Sequence, residues 1–134
     1  MIMRNAFAMA MGLVMLAAPA AAQNAACAQF DGALIIDADD EYIGKVTNSA
    51  DRESIFNGFG RFGSEFRTES IWNQFGKNGS EFRSNSAFNE FSRNPPKIIK
   101  NGRIIGYLTT NDAMPGAVSP VLLGAVCYNF TPPR

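Results

Sequence analysis

One phrase is written almost twice in this chain, and it constrains the fold more than any other feature. Ser54 to Arg67 reads SIFNGFGRFGSEFR, and Ser70 to Arg83 reads SIWNQFGKNGSEFR; a third copy begins at Ser86 as SAFNEFSRNPP. The period is sixteen residues, and several positions recur in all three copies. Serine opens each at Ser54, Ser70 and Ser86. An aromatic follows two residues on (Phe56, Trp72, Phe88), then asparagine (Asn57, Asn73, Asn89), then a second phenylalanine (Phe59, Phe75, Phe91). A unit this short cannot bury its own aromatic face, whereas a neighbour with the same spacing can cover it.

Local chemistry suggests a path for each unit. Serine is a preferred helix N-cap, and glycine the usual residue just past a helix end. From Ser54 to Gly60 there is room for one helical turn, with Phe56 and Phe59 three apart on one face. The stretch Gly63 to Arg67 reads as a turn followed by an extended piece with Phe66 inward between Glu65 and Arg67; Phe82 repeats it. The expected repeat core is therefore Phe56, Phe59, Phe66 and Trp72 with Phe75, Phe82, Phe88 and Phe91. Asn57, Asn73 and Asn89 are expected to bond the backbone of neighbouring units. Phe62 has a polar counterpart, Asn78, and is expected to face outward as a possible ligand surface. Pro95 and Pro96 end the series, because proline lacks the amide that another unit needs.

Flanking the repeats are two stretches that resemble each other, ALIIDADDEYIGKVTN (33–48) and KIIKNGRIIGYLTTN (97–111). Asn101-Gly102 between two Ile-Ile pairs is a strong type I′ hairpin signal. The first stretch is the same design with a longer acidic turn. The expected fold is a small, mostly β single domain. Two hairpins, at 33–48 and 97–111, flank and cover the ends of an irregular or short-helical-turn repeat block at 54–94.

The N-terminus has the order of a secretory leader: Arg4, an apolar run from Ala6 to Leu16, then small residues to Ala22. Cleavage after Ala22 is expected, an uncleaved anchor being the alternative. Removing 22 residues from 134 leaves 112, enough for one domain. Loss of Arg4 takes the 12 basic residues to 11 against 12 acidic, a charge of −1, without the basic excess of nucleic-acid binders. Cys27 and Cys127 are the only cysteines, and in an oxidising compartment they are read as a disulfide. Such a closure of about 100 residues is worth about 4.7 kcal/mol of loop entropy. Lipidation of Cys27 is the alternative, but Asn24 stands where leucine is usual. The chain is expected to be periplasmic or secreted.

The phrase S-I-[FW]-N-x-F-G-x-x-G-S-x-F, followed by Asn94-Pro95-Pro96 and the G-Y-L-T of Gly106 to Thr109, resembles that of small uncharacterised bacterial proteins, in which similar tandem phrases often carry tyrosine for phenylalanine. The similarity spans Tyr42 to Asn111. Asn78 and Ser92 depart from it, replacing an aromatic and a glycine. The resemblance implies a repeat architecture and carries no activity.

No catalytic constellation stands out. Histidine is absent, which removes the commonest general base and metal ligand. The Asp37 to Glu41 run could offer calcium several hard oxygens, yet Tyr42 and Asn48 stand where an EF-hand needs glycine and glutamate; a solvated turn is the plainer reading. Glu65, Glu69, Glu81 and Glu90 could supply an acid and a base for glycoside cleavage, or surface ion pairs between copies. Ser64 and Ser80 have no base to activate them. No cofactor or metal is expected. The leading expectation is a non-catalytic, exported structural or interaction protein of the bacterial envelope, its partner an unknown protein or envelope polymer. The alternative is a glycan- or cell-wall-binding module using exposed repeat aromatics, and a weaker one is a glycoside hydrolase-like enzyme.

Overall fold

The structure is a computed structural model in which residues 25–133 are described. The leader expected over residues 1–22 lies outside them. A helical segment, α1, occupies 25–30. Strands β1 (Leu34–Ile36) and β2 (Tyr42–Lys45) precede the repeated block. Strands β3 (Lys97–Lys100), β4 (Arg103–Leu108) and β5 (Ala117–Val118) follow it, and then helix α2 (Pro120–Tyr128).

The strands form one mixed sheet in the order β2-β1-β3-β4-β5. All neighbours are antiparallel except β4 and β5, which run parallel. Asn101 and Gly102 take φ of 54° and 75°, the two positive values that a type I′ turn requires. The longer acidic turn uses one such residue, Asp40 at 61°. The two hairpins do not cap opposite ends of the block, as the sequence suggested. β1 pairs with β3, placing Ile35 opposite Ile98, so the hairpins lie side by side. A lone two-stranded hairpin is marginal in water; joined, the two present one apolar face.

That face meets the block. Ile35, Ile43, Ile98 and Leu108 from the sheet share a fully buried core with Ile55, Ile71 and Ala87, the residues after the three repeat serines. Beside them runs a second inner row, Phe56–Trp72–Phe88, with ring centroids 6.5 and 5.5 Å apart. The block enters against β2, where Ile55 N donates to Lys45 O at 3.0 Å. It leaves against the exit of β4, where Thr110 N donates to Ala87 O at 2.8 Å.

The expected helical turn after each serine is absent. Linked tight turns replace it: Asn73 N donates to Ser70 O (3.2 Å) and Gly76 N to Asn73 O (3.0 Å), with equivalent bonds from Asn57, Gly60, Asn89 and Ser92. The cause is side-chain competition for the amides a helix would use. The Oγ of Ser54, Ser70 and Ser86 each accept from the amide two residues on, and the Oδ1 of Asn57, Asn73 and Asn89 do the same. Each asparagine also donates its Nδ2 six residues back, to Asp51 O, Arg67 O and Arg83 O. Glycine is needed where the turns pack closest: a Cβ on Gly79 would lie 2.3 Å from Asn73 O and 2.4 Å from Ile71 O.

Helix α2 completes the core, contributing the buried Leu123 and the partly buried Val121. Ser119 caps it by accepting from Leu122 N at 3.2 Å, Pro120 starts it, and Asn129 ends it at φ 50°. Gly124 lets the Phe56 ring approach, since a Cβ there would come within 2.8 Å of it. Tyr128 stacks on Phe56 at 5.0 Å, and Phe130 packs on both Phe56 and Trp72. The Cys27–Cys127 disulfide ties α1 to α2, with Cα atoms 5.5 Å apart.

Candidate functional site

The turns that fix the inner row also fix an outer one. Phe59, Phe66, Phe75, Phe82 and Phe91 are between 80% and 103% exposed. This corrects the expected core: of its eight members, only Phe56, Trp72 and Phe88 point inward. Two reasons emerge. Without a helix, positions three apart no longer share a face, so Phe59 departs from Phe56. Without an extended piece, Glu65, Phe66 and Arg67 all lie on one outward turn, closed by Arg67 N donating to Ser64 O at 3.4 Å.

Phe62 is corrected in the opposite sense. It is 4% exposed, held edge-on by Tyr42 at 5.3 Å with the Arg61 guanidinium 5.0 Å from its ring centre. Its counterpart Asn78 is equally buried, 2% exposed, so polarity there does not signal solvent. Asn78 Nδ2 instead donates to Asp37 Oδ2 at 3.3 Å and, weakly, to Glu69 O at 3.5 Å.

Four of the outer phenylalanines, Phe59, Phe66, Phe75 and Phe91, border shallow clefts. Phe59 and Phe66 flank one of about 420 Å³ together with Phe130 and Pro133. Phe66 and Phe75 flank the next, of about 380 Å³, with Asn73, Gln74 and Pro133. Phe59, Phe66 and Phe75 thus form one strip around Pro133. Phe82 takes in the next copy the place of Phe66, its amide likewise bonded to the preceding serine Oγ at 3.2 Å. Phe91 borders a separate cleft with Met114 and Pro115.

The acidic turn is occupied by a side chain of the block. Asp37 is 1% exposed; its Oδ1 accepts from the amides of Asp39 and Glu41. Lys77 Nζ lies 3.4 Å from Asp37, 2.9 Å from Asp39 and 3.3 Å from Glu41. The bond to Asp39 first, then the charge of Asp37 and the bonds to Glu41 and Asp37, push the lysine pKa up against the opposing effect of burial. One ammonium therefore sits where a cation bound by this loop would sit. Among the described residues, no group of three acidic or thiol side chains is placed to hold a metal.

The repeat glutamates divide similarly. Glu69 has its pKa lowered, first by its own backbone amide and then by Arg61 and Thr68, the reverse of what a general acid needs. Glu65, Glu81 and Glu90 are exposed, and none has an ion pair within 4.0 Å among the described residues, so the Glu-Phe-Arg phrases do not pair with each other as the sequence suggested. Tyr42 lines a cleft of about 870 Å³ beside Phe59, but donates to Glu53 Oε1 at 2.6 Å. Burial first, then that bond, drive its pKa upward, leaving a protonated phenol rather than a nucleophile. No family model, curated protein or solved structure matches the chain.

Proposed function

We propose that this protein is a non-catalytic structural or interaction protein of the bacterial envelope, exported with its leader removed, that docks through the strip of outer phenylalanines. One observation carries the reading: five large apolar rings stand in solvent on turns whose backbone is hydrogen-bonded at every corner. An exposed apolar patch of this kind marks a binding surface on a soluble domain. Rigid support lowers the entropy lost on docking. The disulfide is compatible with an oxidising compartment, and no helix among the described residues is long and apolar enough to cross a membrane. The resemblance to small uncharacterised bacterial proteins belongs to the same proposal.

The glycan-binding alternative has its own support. The cleft between Phe66 and Phe75 is lined by both rings with the Gln74 amide and the Glu65 carboxylate, the Asn73 amide being bonded to Arg67 O and Phe75 N. Rings that stack and amides that hydrogen-bond are the chemistry a sugar needs.

Substituting Phe66→Ser with Phe75→Ser separates docking from folding. Both side chains are exposed, so stability should stay within about 0.5 kcal/mol of the parent. Retention of the protein on washed envelope sheets should fall sharply. Unchanged retention in the folded double variant would overturn the reading.

A further inference from the structure

Prolines from distant parts of the chain reach the outer rings at two places. Phe130 packs on Phe56 and Trp72, and its amide donates to Gly124 O at 3.0 Å, which anchors the chain just past helix α2. Three residues on, Pro133 borders both the cleft of Phe59 with Phe66 and the cleft of Phe66 with Phe75. At the other end of the block, Asn111 Nδ2 donates to Ser92 O at 2.8 Å, and Pro115 from the same loop borders the cleft of Phe91. In neither place does the proline cover the rings: Phe59, Phe66, Phe75 and Phe91 stay between 80% and 103% exposed. The two clefts that Pro133 borders keep about 420 and 380 Å³ of space, within the range of ligand sites.

Proline suits such clefts for physical reasons. Its ring is apolar, and it brings no backbone N–H that would need a partner against an aromatic face. Consecutive prolines hold the extended polyproline II form without internal hydrogen bonds, so a segment of them loses little conformational entropy on docking in an aromatic-lined groove. The chain's own tail has this chemistry. Pro132 precedes Pro133, which biases it to extended backbone.

Charge narrows the ligand further. Among the described residues, Glu65 is the one charged group lining either cleft beside Pro133, and it is exposed with no ion pair. The Phe91 cleft sets Arg93 beside Glu90, and the cleft of Phe59 with Tyr42 is lined by Arg52 and Arg61 as well as Glu53, so neither shares that preference for a cation. Sugars are less well served. With the Asn73 amide engaged by Arg67 O and Phe75 N, only Gln74 and Glu65 offer free polar side chains to the cleft of Phe66 with Phe75.

Resting on the docking reading above, we propose that the occupant of the strip is an extended, proline-rich peptide segment carrying a basic residue, its proline rings against Phe59, Phe66 and Phe75 and its cation at Glu65.

Fluorescence anisotropy of a labelled peptide, an unbroken run of prolines closed by arginine, tests this on the exported, disulfide-bonded protein, with Trp72 emission as the folding control. The peptide should bind saturably, and one with glycine for each proline should not. Phe66→Ser with Phe75→Ser should weaken binding about tenfold or more. Glu65→Gln should weaken it by about threefold to tenfold and flatten its salt dependence. A proline peptide that does not bind, that binds no better than its glycine counterpart, or that ignores the ring substitutions overturns the proposal. A soluble cell-wall glycan strand is the second probe. If the glycan binds in the peptide's stead and is lost with the two rings, the proline-rich occupant falls and the docking surface stands. Envelope retention indifferent to Phe66 and Phe75 removes both.

Discussion

Lys77 shows how a single residue can tie an acidic loop to the repeated block. Its ammonium bridges Asp37, Asp39 and Glu41, and Asp37 is sealed from solvent beneath it. Replacing it, as Lys77→Gln, leaves a buried carboxylate with backbone amides and Asn78 but no cation. A fully buried pair would cost about 3–5 kcal/mol; because this lysine is partly exposed and screened, about 1–2 kcal/mol is expected. The pH dependence has a definite sign. The folded-state pKa of Lys77 lies above its ordinary 10.5, so its contribution is complete below that value and fades only as pH rises through the raised one. Urea titrations of parent and variant should therefore differ by a constant amount between about pH 6 and 9 and converge only in strong alkali. A gap that closes near neutrality would contradict the assignment.

The structural element of the block is a tight turn with a serine or asparagine at its corner, and its glycines divide by what surrounds them. Gly79 is hemmed in by two carbonyl oxygens, whereas Gly58, on an outer turn, has nothing within 4 Å of where a Cβ would stand. Gly79→Ala should cost about 3 kcal/mol or more or prevent folding, since main chain must move. Gly58→Ala should be neutral or stabilising by up to about 1 kcal/mol. Equal effects in urea denaturation would mean that the turns do not pack as described. These turns also mark where sequence reading reached and where it stopped. Asn101-Gly102 and the flanking isoleucines disclosed a hairpin, because the demand for positive φ is local. Serine and glycine at a spacing of six suggested a helix, because the same residues cap helices and corner turns, and only the competing side-chain bonds decide. The signal that sorts the aromatics was nonetheless present: the inward rings follow Ile55, Ile71 and Ala87, while the outward ones follow Gly58, Glu65, Gln74, Glu81 and Glu90. Phe62 lacked such a cue, since its burial depends on Tyr42 from a strand distant in sequence.

At the scale of the molecule, the sheet, the block and α2 make a two-sided object. The inner side spends Phe56, Trp72 and Phe88 on a core shared with Ile35, Ile43 and Ile98, and the outer side keeps five phenylalanines for contact. A chain of this size rarely exposes that much aromatic surface without a partner for it. The segregation of inner from outer rings underlies every functional statement above. Hydroxyl-radical footprinting of the dilute, oxidised protein, read residue by residue by mass spectrometry, measures it directly. Phe59, Phe66, Phe75, Phe82 and Phe91 should be labelled heavily, while Phe56, Phe62 and Trp72 stay protected until the protein is unfolded. Uniform protection of the repeat phenylalanines, or labelling of Trp72 and Phe62 ahead of Phe66 and Phe82, would contradict the account.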